Sequence, residues 1–462
     1  MQVNPHIFRE YDIRGVVRED LTDEVVYNLG RAVGTYYRRH GVDRVTLGRD
    51  GRESSPHLRD VLGRGLTETG CSVIDIGMVP TPLLYFSFFH LDVGGGVMIT
   101  GSHNPPEYNG FKIGLGKTTI HGEEIQQIRR LMEADEYEKG ERGTITEQQI
   151  IPAYQEAVLN TLHLGPHKRK VIVDAGNGMG GFVALPLYRR MGFEVVGLYC
   201  EPDSRFPHHH PDPTVVENMR DLIARVPAER ADLGIAFDGD ADRIGVVDEQ
   251  GRIIWGDQLM IIFSREILSR QPGATIIGEV KCSQTLFDDI ARHGGRPIMW
   301  KVGHSRIKAK IKEEQAAIAG EMSGHIFFAD RYFGYDDAIY AGARLLEILS
   351  HTDRPLSALL ADVPPTVSTP EIRVDCPDEK KFQVVEQLAA AFKKDHQVID
   401  IDGARILFDG GWGLVRASNT QPALVLRFEA ESEERLKEIR RLVEGKLREL
   451  IGGDELCSSP SS

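Results

Sequence analysis

The sequence predicts an α/β protein of several domains closed by a smaller α+β unit, and three observations carry that reading. At 462 residues the chain is too long for one compact core, so roughly two to four domains are expected. Short apolar runs alternate with amphipathic segments along most of its length, the pattern of β-α-β units around parallel or mixed sheets. Beyond Pro364-Pro-Thr-Val-Ser-Thr-Pro370, a candidate linker, strands and helices mix in a different order.

Residues 44–48 read as the first clear strand. A helix follows from Ser54-Ser-Pro56, with a serine to cap it and proline in its first turn. Leu58, Val61, Leu62 and Leu66 fall on one face of that helix; Gly70 ends it and residues 72–76 form the next strand. The most apolar window, 83–100, is interrupted by His90, Asp92 and several glycines, so it cannot span a bilayer. A second unit opens with a strand at 170–174, preceded by a helical segment at 154–162 and followed by a helix at 182–191. A third opens near Gly256, with a helix over 259–268 and a strand at 275–278. In the last unit, strands at 371–374, 405–408 and 423–428 accompany helices at 379–394 and 433–450, and 452–462 is expected to be a disordered tail. There is no strict repeat, yet three successive α/β units are compatible with distant copies of one another. The expected domains are 1–150, 151–255, 256–367 and 368–462.

Composition excludes several classes of function. A net charge of -14 argues against a general nucleic-acid binder while leaving room for a local basic pocket. Arg9, Glu10, Asp12 and Arg14 have no apolar run behind them, so no signal peptide is visible and a cytoplasmic location without a membrane partner is expected. The five cysteines, Cys71, Cys200, Cys282, Cys376 and Cys457, are scattered without C-x-x-C spacing, which fits reduced thiols and gives no zinc site.

Four motifs carry chemistry. In Thr100-Gly-Ser-His-Asn-Pro-Pro-Glu-Tyr-Asn-Gly-Phe-Lys112, Ser102 sits in a Gly/Pro-rich loop after an apolar strand, next to His103 and ten residues before Lys112. Small neighbours let the chain turn sharply and present one hydroxyl, as a serine nucleophile requires, although serine in such a loop is more often a simple turn residue. In Asp238-Gly-Asp-Ala-Asp-Arg243, carboxylates at alternate positions between two apolar runs converge on a hard cation such as Mg²⁺. An EF-hand fails, because Arg243 stands at the sixth loop position, which needs glycine. A solvated acidic turn is weakened by mutual repulsion of three aspartates. In Gly320-Glu-Met-Ser-Gly-His325, Glu321 and Ser323 suit a pair of vicinal hydroxyls and His325 can move a proton; a buried structural histidine is the bland alternative. In Val415-Arg-Ala-Ser-Asn-Thr-Gln-Pro422, Arg416, Ser418, Asn419 and Thr420 are groups that grip a phosphate, against the alternative of a polar turn.

Two further patterns compete with these. Asp174-Ala-Gly-Asn-Gly-Met-Gly-Gly181 satisfies G-x-G-x-x-G through Gly176, Gly178 and Gly181, with Glu201 twenty residues on, which is formally a dinucleotide fingerprint of an NAD-dependent dehydrogenase. A dehydrogenase leaves the other four motifs unexplained. His208-His-His210 lies among Pro207, Pro211 and Pro213 and reads as a structural or substrate-adjacent loop.

Together the four motifs describe a phosphoryl-transfer site, each in a different expected domain, so the site is expected in a central cleft. With Phe8-Arg-Glu-Tyr-Asp-Ile-Arg-Gly15 they closely resemble the α-D-phosphohexomutase superfamily, and within it the bacterial phosphomannomutase/phosphoglucomutase branch. The motifs run in family order from Phe8 to Glu429, nearly the whole chain. The resemblance implies three related α/β mixed-sheet domains, a clamp-like fourth, and a phosphoryl group carried on Ser102. It implies one Mg²⁺ on Asp238, Asp240 and Asp242 with Ser102, and catalytic roles for Ser102, His103, Lys112, Arg14, His304 and His325, with acid and base unassigned. Substrate contacts are expected from Tyr11, Arg243, Lys281, Gly303, Glu321, Ser323, His325, Arg416, Ser418, Asn419 and Thr420.

The implied reaction interconverts hexose 1- and 6-phosphates of the mannose or glucose series through a hexose 1,6-bisphosphate that also serves as activator. Phosphosugars are the expected partners and a monomer the expected state. Two phosphate dianions about 6 Å apart repel by roughly 11 kcal/mol at an effective dielectric of about 20, which accounts for the cationic complement of the site. A sugar phosphatase using the same serine and a non-enzymatic sugar-phosphate sensor are the remaining alternatives.

Overall fold

Each apolar run buries itself in one of four sheets, and the helices between them cover the sheet faces; the computed structural model describes residues 3–418 and 422–451. In the first sheet the spatial order is Ile13–Val16, Tyr108–Leu115, Gly95–Ile99, Arg44–Arg49, Ser72–Met78 and Ile145–Glu147, with Thr118–Thr119 beside Tyr108–Leu115. The second runs Ile253–Ile254, Ile244–Asp248, Leu233–Phe237, Lys170–Asp174, Glu194–Leu198. The third runs Arg296–Trp300, Thr275–Glu279, Ile318–Gly320, Ile326–Phe328.

These three sheets share one device. A strand that pairs in parallel with its inner neighbour turns through a loop into an antiparallel partner: Gly95–Ile99 into Tyr108–Leu115, Leu233–Phe237 into Ile244–Asp248, and Ile318–Gly320 into Ile326–Phe328. The three loops, 100–107, 238–243 and 321–325, hold three of the four chemical motifs. They leave the carboxyl ends of parallel strands, where open α/β sheets bind ligands.

The fourth sheet is antiparallel throughout: Val367–Ser368, Ala423–Ala430, Gly411–Ala417, Ala404–Phe408 and Gln397–Ile399, with Ile372–Asp375 also on Ala423–Ala430. Helices Asp378–Phe392 and Glu433–Ile451 cover one face through Leu388, Ile439, Val443 and Leu447, all buried. One continuous apolar cluster, from Ile74 through Phe263 to Leu356, is shared by the first three units. The fourth keeps its own core and is joined through a small apolar cluster, Val280 with Trp412 and Leu414, and through polar contacts. Arg405 donates to the carbonyls of Val280 and Cys282 at 2.6 and 2.8 Å, and Glu429 accepts from Ser283 and Trp412 at 2.9 Å each.

Several expectations change on the structure. Ser54 makes no capping bond to helix Ser55–Glu68; its hydroxyl accepts from Asn109 Nδ2 at 2.9 Å. The expected linker is partly structural, since Val367–Ser368 pairs with Glu429 and Ala430. Strand Tyr108–Leu115, which carries Lys112, was not expected. Strand Gly411–Ala417 was not expected, because its alternate glycines hide the strand pattern. The expected tail at 452–462 lies outside the described residues. Among those that are described, no helix is long and apolar enough to cross a membrane, and Cys71, Cys200, Cys282 and Cys376 are unpaired thiols.

Candidate active site

Strand Gly95–Ile99 is buried at every position and delivers the chain into the serine loop. Ser102 takes φ 48°, a left-handed conformation that costs a non-glycine residue about 1–3 kcal/mol and persists only where the surroundings impose it. Here its N–H donates to Thr100 Oγ1 at 2.8 Å and its carbonyl accepts from Arg52 Nη2 at 3.0 Å. Arg52, itself buried, also donates to the carbonyls of Asn104 (2.6 Å), Pro105 (2.6 Å) and Tyr108 (3.0 Å). Asp50 lies 3.2 Å from Arg52 Nε and accepts the Gly101 N–H at 3.1 Å. This ion pair frames the loop, and sequence reasoning missed it; a charged pair two residues apart just after a buried strand was the available signal.

The Ser102 hydroxyl reaches across to the second unit and donates to Asp238 Oδ2 at 3.1 Å. Its one proton is thereby used, so His103 Nδ1, also at 3.1 Å, acts as the donor to Oγ. Desolvation, then the charges of Arg243 and Arg14, push His103 well below its ordinary pKa, so the ring is neutral. Arg14 holds the far end of the loop through Asn104 and pairs with Asp12.

Asp238, Asp240 and Asp242 lie in the turn between Leu233–Phe237 and Ile244–Asp248 and are fully buried. Asp238 Oδ1 accepts the N–H groups of Asp242 and Arg243 at 3.0 and 3.1 Å. Asp240 Oδ2 accepts from Thr81 Oγ1 at 2.5 Å and from Lys112 Nζ at 2.8 Å, and Lys112 also donates to Asp242. Asp240 Oδ1 and Asp242 Oδ1 have no hydrogen-bond partner, and one oxygen from each aspartate lies within 4.8 Å of the others. Burial and the charges of Asp242 and Asp240 push Asp238 far above the usual carboxylate range. Orphaned buried oxygens cost about 1–3 kcal/mol each, more when charged, and a hard divalent cation relieves them. The oxygen donor set therefore fits Mg²⁺.

Burial alone would lower the Lys112 pKa, but Asp240 and Asp242 outweigh it and hold it well above the ordinary value. Lys112 is an ammonium here, suited to neutralising charge or giving a proton rather than to acting as a base. The backbones of the loops touch. A Cβ on Gly239 would lie 2.2 Å from the Ser102 carbonyl oxygen, and one on Gly324 would lie 2.2 Å from the Ile244 oxygen.

The third unit closes the other side. Arg243 Nε donates to His325 Nε2 at 2.9 Å; His325 Nδ1 lies 3.6 Å from Asp242 and 3.2 Å from Asp336, which accepts from Lys308 at 2.9 Å. Asp336 and Lys308 were not singled out in the sequence. His304 stacks near His325 with ring centroids 6.0 Å apart, and desolvation followed by Lys308 pushes its pKa well down, so it too is neutral. Glu321 accepts the Gly303 N–H at 2.7 Å on one oxygen and the Ser323 hydroxyl at 3.1 Å on the other. Gly303 admits no side chain, because a Cβ there would lie 2.2 Å from Tyr11 Oη. Tyr11 donates to the Val302 carbonyl at 3.1 Å, and burial with Glu10 and Glu321 raises it to about 12 against the pull of Arg306.

Lys281 Nζ lies 3.3 Å from Glu371 of the fourth unit. Burial alone would raise Glu371, yet Lys281 and Arg373 hold it at about 2, so the pair stays ionised. Asp402 ties the fourth unit to this side, accepting from Val302 N at 3.0 Å and Arg416 Nε at 3.2 Å. Arg416 and Ser418 are buried, and Lys381 donates to the Ser418 carbonyl at 2.6 Å. Asn419 and Thr420 lie outside the described residues.

The competing glycine motif has no room for a dinucleotide. A Cβ on Gly176 would lie 2.9 Å from His209, and one on Gly178 would lie 2.7 Å from the Gly239 oxygen, so the turn is filled by the chain itself. The histidine loop does that filling: His209 pairs with Asp174 at 3.0 Å, and His208 stacks on Tyr199 at 3.8 Å.

Comparison with known proteins gives a consistent result. Family models for phosphoglucomutase/phosphomannomutase alpha/beta/alpha domains I, II and III match residues 5–139, 152–251 and 255–367, and one for the C-terminal domain matches 371–446. The chain is 48% identical over 447 residues to a phosphomannomutase/phosphoglucomutase of Pseudomonas aeruginosa, covering 96% of this chain and 95% of that one. It is 48% identical over 440 residues to a phosphoglucomutase of Neisseria gonorrhoeae, covering 94% and 95%. A solved phosphoglucomutase/phosphomannomutase family protein from Burkholderia thailandensis superposes with TM-score 0.93 at 43% identity, covering 98% of this chain and 99% of that one.

Proposed function

The chain belongs to the phosphoglucomutase/phosphomannomutase family and is a hexose-phosphate mutase, and we propose that its reaction runs through a phosphorylated Ser102 and a hexose 1,6-bisphosphate. The observation that carries this is the Ser102 hydroxyl, held in a left-handed turn and aimed 3.1 Å from Asp238 of a buried aspartate triad. Asp238, Asp240 and Asp242 would hold Mg²⁺, which when bound supplies positive charge against the transferring phosphoryl group.

The protein's own groups account for the rest. A substrate hydroxyl attacks phosphorus on Ser102, the new O–P bond forms as the Oγ–P bond breaks, and the hydroxyl proton passes to His325 Nε2. Lys112 and the Nδ1–H of His103 offset charge at the departing Oγ, where Lys112 returns a proton. Arg416 and Ser418, with Asn419 and Thr420, clamp the phosphate that is not reacting, while Glu321 and Ser323 hold the ring hydroxyls. After the bisphosphate reorients, the same steps run in reverse with the other phosphate on Ser102. Glucose and mannose differ at C2, so contacts confined to C3 and C4 accept both series. One chain supplies every group in this scheme, which supports action as a monomer.

A coupled assay with glucose 1-phosphate and mannose 1-phosphate, with and without a hexose 1,6-bisphosphate, tests the reading. One hexose 6-phosphate should form per 1-phosphate consumed, with negligible free phosphate. Stoichiometric free phosphate would make the enzyme a phosphatase.

A further inference from the structure

Arg243, His325, Asp336 and Lys308 form a file of hydrogen-bonding groups beside the aspartate triad. Arg243 Nε donates to His325 Nε2 at 2.9 Å, so that nitrogen is the acceptor and a neutral ring keeps its proton on Nδ1. Nδ1 faces Asp336 Oδ2 at 3.2 Å and Asp242 Oδ1 at 3.6 Å. Those three atoms are buried, and none makes a hydrogen bond among the described residues, so the nearest acceptor facing Nδ1 is Asp336 Oδ2. The second Asp336 oxygen is already anchored by Lys308 at 2.9 Å, and Lys308 Nζ sits 4.0 Å from the centre of the Tyr85 ring. One carboxylate oxygen is thus fixed and the other is aimed at the imidazole.

Two carboxylate oxygens and an imidazole nitrogen within 4.8 Å of one another are also a donor set for a cation. Arg243 argues against that occupant. A metal on Nδ1 of a neutral ring would put the proton on Nε2, directly facing the Arg243 N–H.

We propose that Asp336 is the positioning residue for His325, fixing its proton on Nδ1 so that Nε2 is the nitrogen that takes the proton of the attacking hydroxyl. The inference rests on the reading in which His325 moves that proton. As the hydroxyl oxygen bonds to phosphorus, its proton passes to Nε2, and the resulting imidazolium keeps its Nδ1–H on Asp336. The proton leaves by the same atom in the reverse half-reaction. Arg243, which occupies Nε2 in this structure, turns to the substrate phosphate and frees the lone pair. A carboxylate that orients a histidine and stabilises its imidazolium is worth orders of magnitude in turnover where it has been removed.

Nitrogen-15 NMR of the full-length enzyme with labelled histidine, with His325 assigned through His325→Gln, reads the tautomer directly. In the wild-type enzyme Nδ1 should be protonated and Nε2 bare. In Asp336→Asn the population should move toward Nε2–H and kcat should fall by about 100-fold or more. KM for glucose 1-phosphate and the Mg²⁺ needed for half-activation should stay within about twofold. Asp336→Glu should recover part of the lost kcat and keep the Nδ1 proton. An Nε2 proton in the wild-type enzyme would overturn the proposal, as would near-wild-type kcat in Asp336→Asn or a loss carried by KM with the tautomer unchanged. If Asp336→Asn does not fold, the wild-type and Asp336→Glu spectra decide, because an Nε2 proton in either contradicts it. A wild-type enzyme that fails to interconvert hexose phosphates would instead refute the functional reading, whatever the tautomer.

Discussion

Gly239→Ala places one methyl group where the serine loop meets the metal loop. Gly239 is not held in a left-handed conformation, so alanine is free of backbone strain there and acts through contact alone. Its Cβ would lie 2.2 Å from the Ser102 carbonyl oxygen, against a normal carbon–oxygen approach of about 3.3 Å. One loop must therefore give way by about 1 Å, and a misplacement of about that size at a reacting group costs on the order of 100-fold in rate. Overpacking of this kind costs about 1–3 kcal/mol of stability, a few degrees in Tm for a chain of this size. Coupled-assay kcat and a thermal melt should thus show a large rate loss beside a small shift in Tm. Gly445→Ala is the control: no atom lies near its Cβ in helix Glu433–Ile451, so activity should be unchanged and the helix slightly firmer. Near-wild-type kcat in Gly239→Ala would show that the Ser102–Asp238 geometry does not govern the reaction.

Chelation should abolish turnover and Mg²⁺ should restore it, and Asp240→Asn should lower kcat by orders of magnitude; full activity in chelator would remove the metal from the account. Arg416→Ala should weaken binding of 1-phosphates and 6-phosphates alike and release more bisphosphate, so a defect confined to one of them, measured by KM for each, would place the clamp elsewhere. Burial alone would lower His209, but its hydrogen bonds to Asp174 raise its pKa above the unfolded value of about 6.5. That contribution is fully present below the unfolded pKa and is lost as pH rises through the folded one. His209→Gln should therefore cost more Tm at pH 6 than at pH 8, and a cost independent of pH would show that the ion pair contributes nothing.

Residues close in sequence were legible and contacts between distant elements were not. The turn at Asp238–Arg243 was legible because its flanking apolar runs read as strands and its three aspartates fall at alternate positions. The reach of Ser102 to Asp238 spans 136 residues, and no local pattern encodes it. No strand was read over 108–115, because Asn109 and Gly110 look like turn residues, whereas pairing on both sides inside the sheet makes them strand. Arg52 and Asp336 escaped notice for a shared reason: each acts by holding another residue's backbone or ring, a role fixed by tertiary packing. The Gly176–Gly181 turn shows the converse, a local motif set aside in the sequence whose ligand space the fold fills with His209 and Pro211.

Phosphoryl occupancy of Ser102 tests the central claim most directly. Intact mass of the purified enzyme should show a fraction carrying one phosphoryl group, absent in Ser102→Ala. Label loaded from a phosphorus-32 hexose 1,6-bisphosphate should chase into hexose phosphate at least as fast as steady-state turnover. An adduct that persists in Ser102→Ala, or a chase slower than turnover, would contradict the account.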